Sequence, residues 1–282
     1  MRIKSFLKLV GTTLSPIVIF YAVYVAISLV LALNAFIYLE LILGEDMDPF
    51  IDRVAPWVFR AAQIVCLPIF LHMWIKTRKR ILLPADKSNI LRLGTTLLVF
   101  AFSIMFTFGV ASIYIALGLA SIPPSYEMEI QSRLYILFFI VILSSVVEEL
   151  VFRGIILNRL LLNTSKRLSV LISSILFALA YIFRGDLFLL IYIALFGVWC
   201  ALIYIRYRNL LLCILARIIL NFIAANFTIA TFIYSTATSY PVLSIVQPIA
   251  AMLGIGALLV LKCPPAVLEE KRLGESAVTK ID

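Results

Sequence analysis

The feature that most constrains this chain is its succession of apolar runs, nearly all long enough to cross a bilayer. They fall at about 13–39, 54–75, 91–120, 134–162, 168–183, 187–205, 209–234 and 241–261. A helical crossing needs about 20 residues, and a barrel strand would alternate apolar and polar positions, which these runs do not. Inside lipid only helices and closed barrels satisfy every backbone N–H and C=O. The expected fold is therefore all-α, a polytopic membrane helical bundle of about eight transmembrane helices. Composition agrees: 63% of residues are hydrophobic and 14% charged, against about 25% charged in soluble domains.

The basic residues supply an orientation. With the amino terminus inside, one face receives Arg2, Lys4 and Lys8, the Lys76–Arg80 run with Lys87 and Arg92, then Arg159, Lys166, Arg167, Arg206, Arg208 and the tail from Lys262. The other face receives Glu45, Asp46, Asp48, Asp52, Glu127, Glu129 and Asp186, with Arg53, Arg133 and Arg184. About 18 of the 24 Lys and Arg fall inside, the positive-inside pattern at every loop. Both termini are expected in the cytoplasm, in a multi-pass protein of the cell membrane. The first apolar run exceeds a signal peptide's core and is expected to remain as a span. The net charge of +9 is spread over these loops and forms no continuous stripe. Nucleic acid is therefore not an expected partner; membrane lipid is, and anionic lipid at Lys76–Arg80 is a secondary reading of a topology anchor.

No linker or repeat divides the chain. Residues 1–263 read as one membrane domain and 264–282 as a short cytoplasmic tail. Cys66, Cys200, Cys213 and Cys263 are scattered without a CxxC pair, so they suggest neither a disulfide framework nor a thiolate metal site.

Within this apolar background, Glu148-Glu149-Leu150-Val151-Phe152-Arg153-Gly154 places three charges in the fourth span. Each costs about 2.5–3.5 kcal/mol at the centre of a membrane helix, so each needs a partner or a use. Glu149 and Arg153 are spaced i,i+4 and share a helix face, with Glu on the favourable amino-terminal side. The spacing predicts an ion pair. Glu148 is rotated by about 100° and has no such partner on its own helix. It is left for something across the bundle.

Arg217 and Asn221, in the seventh span, are also i,i+4. At a rise of about 1.5 Å per residue, Glu148, Glu149, Tyr181 and Asn221 lie roughly 18–21 Å from the cytoplasmic helix ends, and Arg153 and Arg217 roughly 12–14 Å. Polar groups of three spans thus fall within about two helical turns of one another, a candidate buried site.

These motifs resemble the CPBP family, the CAAX prenyl proteases and bacteriocin-processing (Abi) proteins. The resemblance runs over about residues 134–230. It rests on Glu148-Glu149-x-x-x-Arg153, on Phe177-Ala178-Leu179-Ala180-Tyr181, and on Arg217-x-x-x-Asn221. It implies a multi-helix intramembrane endopeptidase that cuts membrane-associated peptides or proteins. Glu148 then holds the position of the carboxylate that activates water, and Asn221 that of an oxyanion-stabilising donor. The family's two histidine positions are occupied by Tyr181 and Arg217, while the chain's single histidine, His72, lies on no motif.

The substitution changes the chemistry. Guanidinium has no lone pair for a proton or a metal, and a phenol is a poor substitute for imidazole. A zinc site needs convergent His, Cys or carboxylate ligands, so no cofactor and no divalent metal is expected. A cation beside a carboxylate also favours its ionised form and weakens it as a base. The chemistry leans toward a degenerate site in which Arg217 bridges to Glu148. A working carboxylate with Arg217 clamping an oxyanion or a substrate carboxylate stays open. Three functions follow: an intramembrane endopeptidase, a non-catalytic scaffold or regulator that binds a membrane partner, and, last, a transporter. The last ranks lowest because no repeat-paired broken helices are seen.

Overall fold

The computed structural model describes residues 3–35, 48–80, 93–118, 135–182, 187–225 and 227–261, and these are helical apart from short turns. The tail 264–282, Cys263 and most of the acidic loop residues lie outside the described residues. The helices are α1 (Ile3–Ala35), α2 (Asp48–Arg80), α3 (Leu93–Ala116), α4 (136–161), α5 (Lys166–Leu179), α6 (Leu187–Tyr207), α7 (Leu210–Ala225), α8 (Phe227–Ser239) and α9 (Pro241–Leu261). The fold is a helical membrane bundle.

Four described helices are long and apolar enough to cross a membrane: Val10–Val30, Trp57–Arg78, Thr96–Ala116 and Leu187–Tyr207. Phe232–Ser239 and Pro241–Ile255, bent by 114°, make a fifth if they are taken as one broken span. The fourth apolar run forms α4. The fifth is short, as its apolar run is: α5 has 14 residues, only about 21 Å of helix against a hydrocarbon core of about 30 Å. The seventh divides into α7 and α8. Pro241 then opens α9 at a first-turn position, where its missing N–H costs no internal bond.

By contacts the chain forms two compact units, residues 1–81 with 129–201, and residues 82–128 with 202–282. In the first, α4 is the centre. It packs against α1, α2 and α5, and every residue from Leu150 to Leu157 is buried. α4 alternates its winding: π over Ile136–Leu143, α over Ser144–Glu149, π over Leu150–Leu157, then α over Asn158–Leu161. Such π segments collect at functional sites, and here they flank the turn that carries both glutamates.

Local chemistry explains the packing around α4. Pro16 in α1 has no N–H, which releases the Thr12 carbonyl from its helical donor. The carbonyl is recovered by Ser15 Oγ at 3.0 Å and by the Arg159 guanidinium, which also donates to Ser15 Oγ at 2.9 Å. Arg159 thus ties the end of α4 to the proline of α1. Phe20 stacks edge-on against Phe59 of α2, centroids 5.3 Å apart. Farther along α2, Trp74 closes on Gly154: a Cβ there would meet Trp74 Cδ1 at 2.9 Å. Only glycine lets these two helices approach so closely.

In the second unit α3 packs against α7, α8 and α9. Gly109 of α3 meets Pro248 of α9, which a Cβ would approach to 3.1 Å. The start of α7 is capped by Asn209, whose Oδ1 accepts the Leu211 N–H at 2.9 Å.

Candidate active site

The α-wound turn Ser144–Glu149 sets the two glutamates side by side on α4 but facing different surroundings. Glu149 is fully buried, 0% exposed, and Arg153 is 1% exposed. The pair that the spacing predicts is present: Arg153 Nη1 donates to Glu149 Oε1 at 2.9 Å. Arg153 Nη2 donates to the Gly197 carbonyl of α6 at 3.0 Å, and its guanidinium carbon lies 4.4 Å from the centre of the Phe177 ring. Glycine at 197 allows this. A Cβ would stand 3.2 Å from both Phe177 and Ser174 of α5, so the bare backbone lets α6 and its carbonyl come this close without displacing either.

Glu148 is half-buried. Its partner is Tyr181, in the turn that follows α5, where the Tyr181 N–H closes on the Ala178 carbonyl at 2.9 Å. The Tyr181 hydroxyl donates to Glu148 Oε1 at 2.5 Å, at the short end for an O–H···O⁻ bond. Phe177 links the two glutamate environments. It touches Arg153, meets Tyr181 edge-on at 5.8 Å and Phe152 at 4.9 Å.

Glu148 and Tyr181 line a cavity of about 140 Å³, together with Pro16 and Phe20 of α1 and Phe59 and Gln63 of α2. A single water needs only about 10–15 Å³ of such space, so the carboxylate faces room for water and for a larger guest. No histidine lines it. His72 is exposed on α2. Among the described residues no three His, Cys, Asp or Glu side chains gather as a metal site requires.

Arg217 and Asn221 are placed on α7 of the second unit. Arg217 is 2% exposed and belongs to the buried stripe Leu212, Cys213, Ala216, Arg217, Leu220 and Ile223; Asn221 is half-buried.

One further polar group belongs to no motif of the sequence. Arg60 and Gln63 stand i,i+3 inside the second apolar run and meet Ser144 of α4. The signal was available, since Arg60 is a cation inside a membrane span. Its partner serine, 84 residues away, was not.

Residues 130–223 match the family model described as Rce1-like, type II CAAX prenyl endopeptidase Rce1-like. That region is similar to a protease family. The match contains α4, α5, α6 and most of α7, and so all six residues singled out from the sequence: Glu148, Glu149, Arg153, Tyr181, Arg217 and Asn221. It agrees with the resemblance read from the motifs and covers about a third of the chain. No curated protein and no solved structure matches the chain.

Proposed function

We propose that this CAAX-protease-like membrane protein binds a membrane-associated peptide or protein segment in the Glu148 cavity and does not cleave it. The observation that carries the reading is the Glu148–Tyr181 hydrogen bond on a cavity wall without imidazole. Peptide hydrolysis needs a base for the attacking water and an acid for the leaving amine. Glu148 holds the base position, but its facing partner is a phenol, a poor substitute for imidazole in relaying protons. Glu149 is committed to Arg153 and acts by holding α4 in shape. Arg217 and Asn221 enter only by the resemblance, Arg217 as a structural cation and Asn221 as a hydrogen-bond donor. No metal or cofactor takes part in this reading. Both termini lie in the cytoplasm, and the protein resides in the cell membrane.

The test is reconstitution in liposomes with membrane-anchored reporter peptides, scored by mass spectrometry for new peptide ends. The expected result is retention of reporter without cleavage, for the native chain and for Glu148→Gln alike. Tyr181→His combined with Arg217→His, which restores the imidazoles of the resembling family, is expected to raise cleavage above the native level. Cleavage by the native chain that disappears in Glu148→Gln overturns the proposal.

One observation favours a second reading, an endopeptidase that still works. Glu148 lines space that water can enter, whereas Glu149 is buried in its ion pair with Arg153. The same liposome assay separates the two.

A further inference from the structure

Arg60, Gln63 and Ser144 form a network with only one way to assign its protons. Arg60 Nη1 donates to Gln63 Oε1 at 2.9 Å and to Ser144 Oγ at 2.7 Å. Gln63 Nε2 donates to Ser144 Oγ at 3.0 Å, and Ser144 Oγ donates to the Phe139 carbonyl at 3.1 Å. A guanidinium only donates, so the Gln63 oxygen must face Arg60 and the nitrogen must face Ser144. Ser144 accepts twice and gives its one proton to Phe139, whose carbonyl also receives the Ser144 N–H through the π winding. The amide cannot flip.

Gln63 is 2% exposed, and of the three residues it alone lines the cavity shared with Glu148 and Tyr181. An amide nitrogen carries two N–H groups, and among the described residues one of them is used. Holding two helices together needs no more than the Gln63–Ser144 bond. The added cation does something further. It fixes the amide's orientation and polarises it, which makes the remaining N–H a stronger donor. The cavity wall therefore carries Gln63, an amide of fixed orientation, and Glu148, an acceptor, set among the aromatic and aliphatic side chains of Phe20, Phe59, Pro16 and Val151.

We infer that Gln63 is a peptide-binding residue, its second amide N–H taking a main-chain carbonyl of an extended peptide that lies in the cavity beside Glu148. The inference rests on the peptide-binding reading of that cavity. A peptide backbone offers carbonyls for Gln63 and N–H groups for the Glu148 carboxylate, between apolar side chains. A glycerolipid ester offers acceptors but no donor, and so satisfies only one of the two walls.

The test uses the full chain in phosphatidylcholine nanodiscs and a fluorescein-labelled, membrane-partitioning synthetic dodecapeptide of Leu, Ala and Ser, with binding read by anisotropy. A net hydrogen bond of about 0.5–1.5 kcal/mol corresponds to a loss of roughly two- to twelvefold in Gln63→Leu and in the unbranched Gln63→Met. A second measurement separates binding from mere structure. Single backbone amides of the peptide are replaced by esters, whose carbonyls accept more weakly. One ester position is expected to weaken binding to the native chain and to leave binding to Gln63→Leu unchanged, a coupling that a general loosening does not produce. Native binding with Gln63→Leu and Gln63→Met equal to it overturns the inference and leaves peptide binding intact. A uniform loss with no coupled ester position assigns Gln63 a structural role and also overturns it. A nanodisc lipid retained by the native chain and lost in Gln63→Leu overturns it in favour of lipid. Absence of any peptide binding by the native chain overturns both this inference and the reading beneath it.

Discussion

Glu148 and Glu149 are neighbours on one helical turn, yet the protein treats them as opposites. Glu149 is sealed, with its charge matched by Arg153, which is in turn held by the Gly197 carbonyl and the Phe177 ring. Glu148 faces a cavity, and its partner is a neutral hydroxyl. The difference teaches what burial does to a carboxylate in a membrane bundle. A charge removed from water must be balanced within its own neighbourhood, because losing a buried partner costs more than the pair contributes. A charge at a cavity wall keeps access to water and to ligands, and it can be spent on function. One turn of helix holds a structural carboxylate and a chemical one.

The comparison is broken most severely by removing Arg153. Arg153→Met leaves Glu149 buried without its ion-pair partner and is expected to destabilise the chain by about 3–5 kcal/mol, read by denaturant or thermal unfolding in detergent. Replacing both members, Glu149→Leu with Arg153→Met, is expected to recover most of that loss. A double variant as unstable as the single one shows that the pair does not act as a unit.

A smaller effect is expected from Gly197→Ala, about 1–3 kcal/mol, because the new methyl must displace Phe177 and Ser174. Since Phe177 also touches Tyr181, the variant should disturb the Glu148 side too, weakening peptide retention along with stability. If stability falls and peptide retention is unchanged, Phe177 does not connect the two environments.

Tyr181→Phe removes one hydrogen bond to a half-buried carboxylate and is expected to cost about 1 kcal/mol in unfolding measurements. Least is expected from Glu148→Gln. The amide keeps the volume and an oxygen for Tyr181, so the stability change should stay below about 1 kcal/mol. A loss as large as that of Arg153→Met would show that Glu148 is structural after all and erase the contrast between the neighbours.

Much of this was legible in the chain. The Glu149–Arg153 pair follows from i,i+4 spacing on a helix that lipid obliges to form. The division of labour between the glutamates follows from the rotation between adjacent residues. Tyr181 stood at the depth of Glu148, but the chemistry leaned toward Arg217 as the partner of Glu148, and depth alone did not choose between them. The Arg60–Gln63–Ser144 network was not legible, because it depends on which of several similar apolar helices lies beside α4. All of them look alike to a hydropathy scale. The break between α7 and α8 was hidden for a related reason: an apolar run reports preference for lipid or core, not where the helix stops.

The sequence by itself determined that the chain is helical and membrane-embedded, and which residues carry charge at depth. It did so because the bilayer leaves the backbone few alternatives and makes each buried charge costly. Only the tertiary structure decided that Glu149 is closed and Glu148 open, that Pro16 and Gln63 share a cavity with Glu148, and that Gly197 lets α6 approach Arg153. Those outcomes depend on close approaches between helices distant in the chain, and such approaches are set by side-chain shape at each crossing, not by periodicity along one helix.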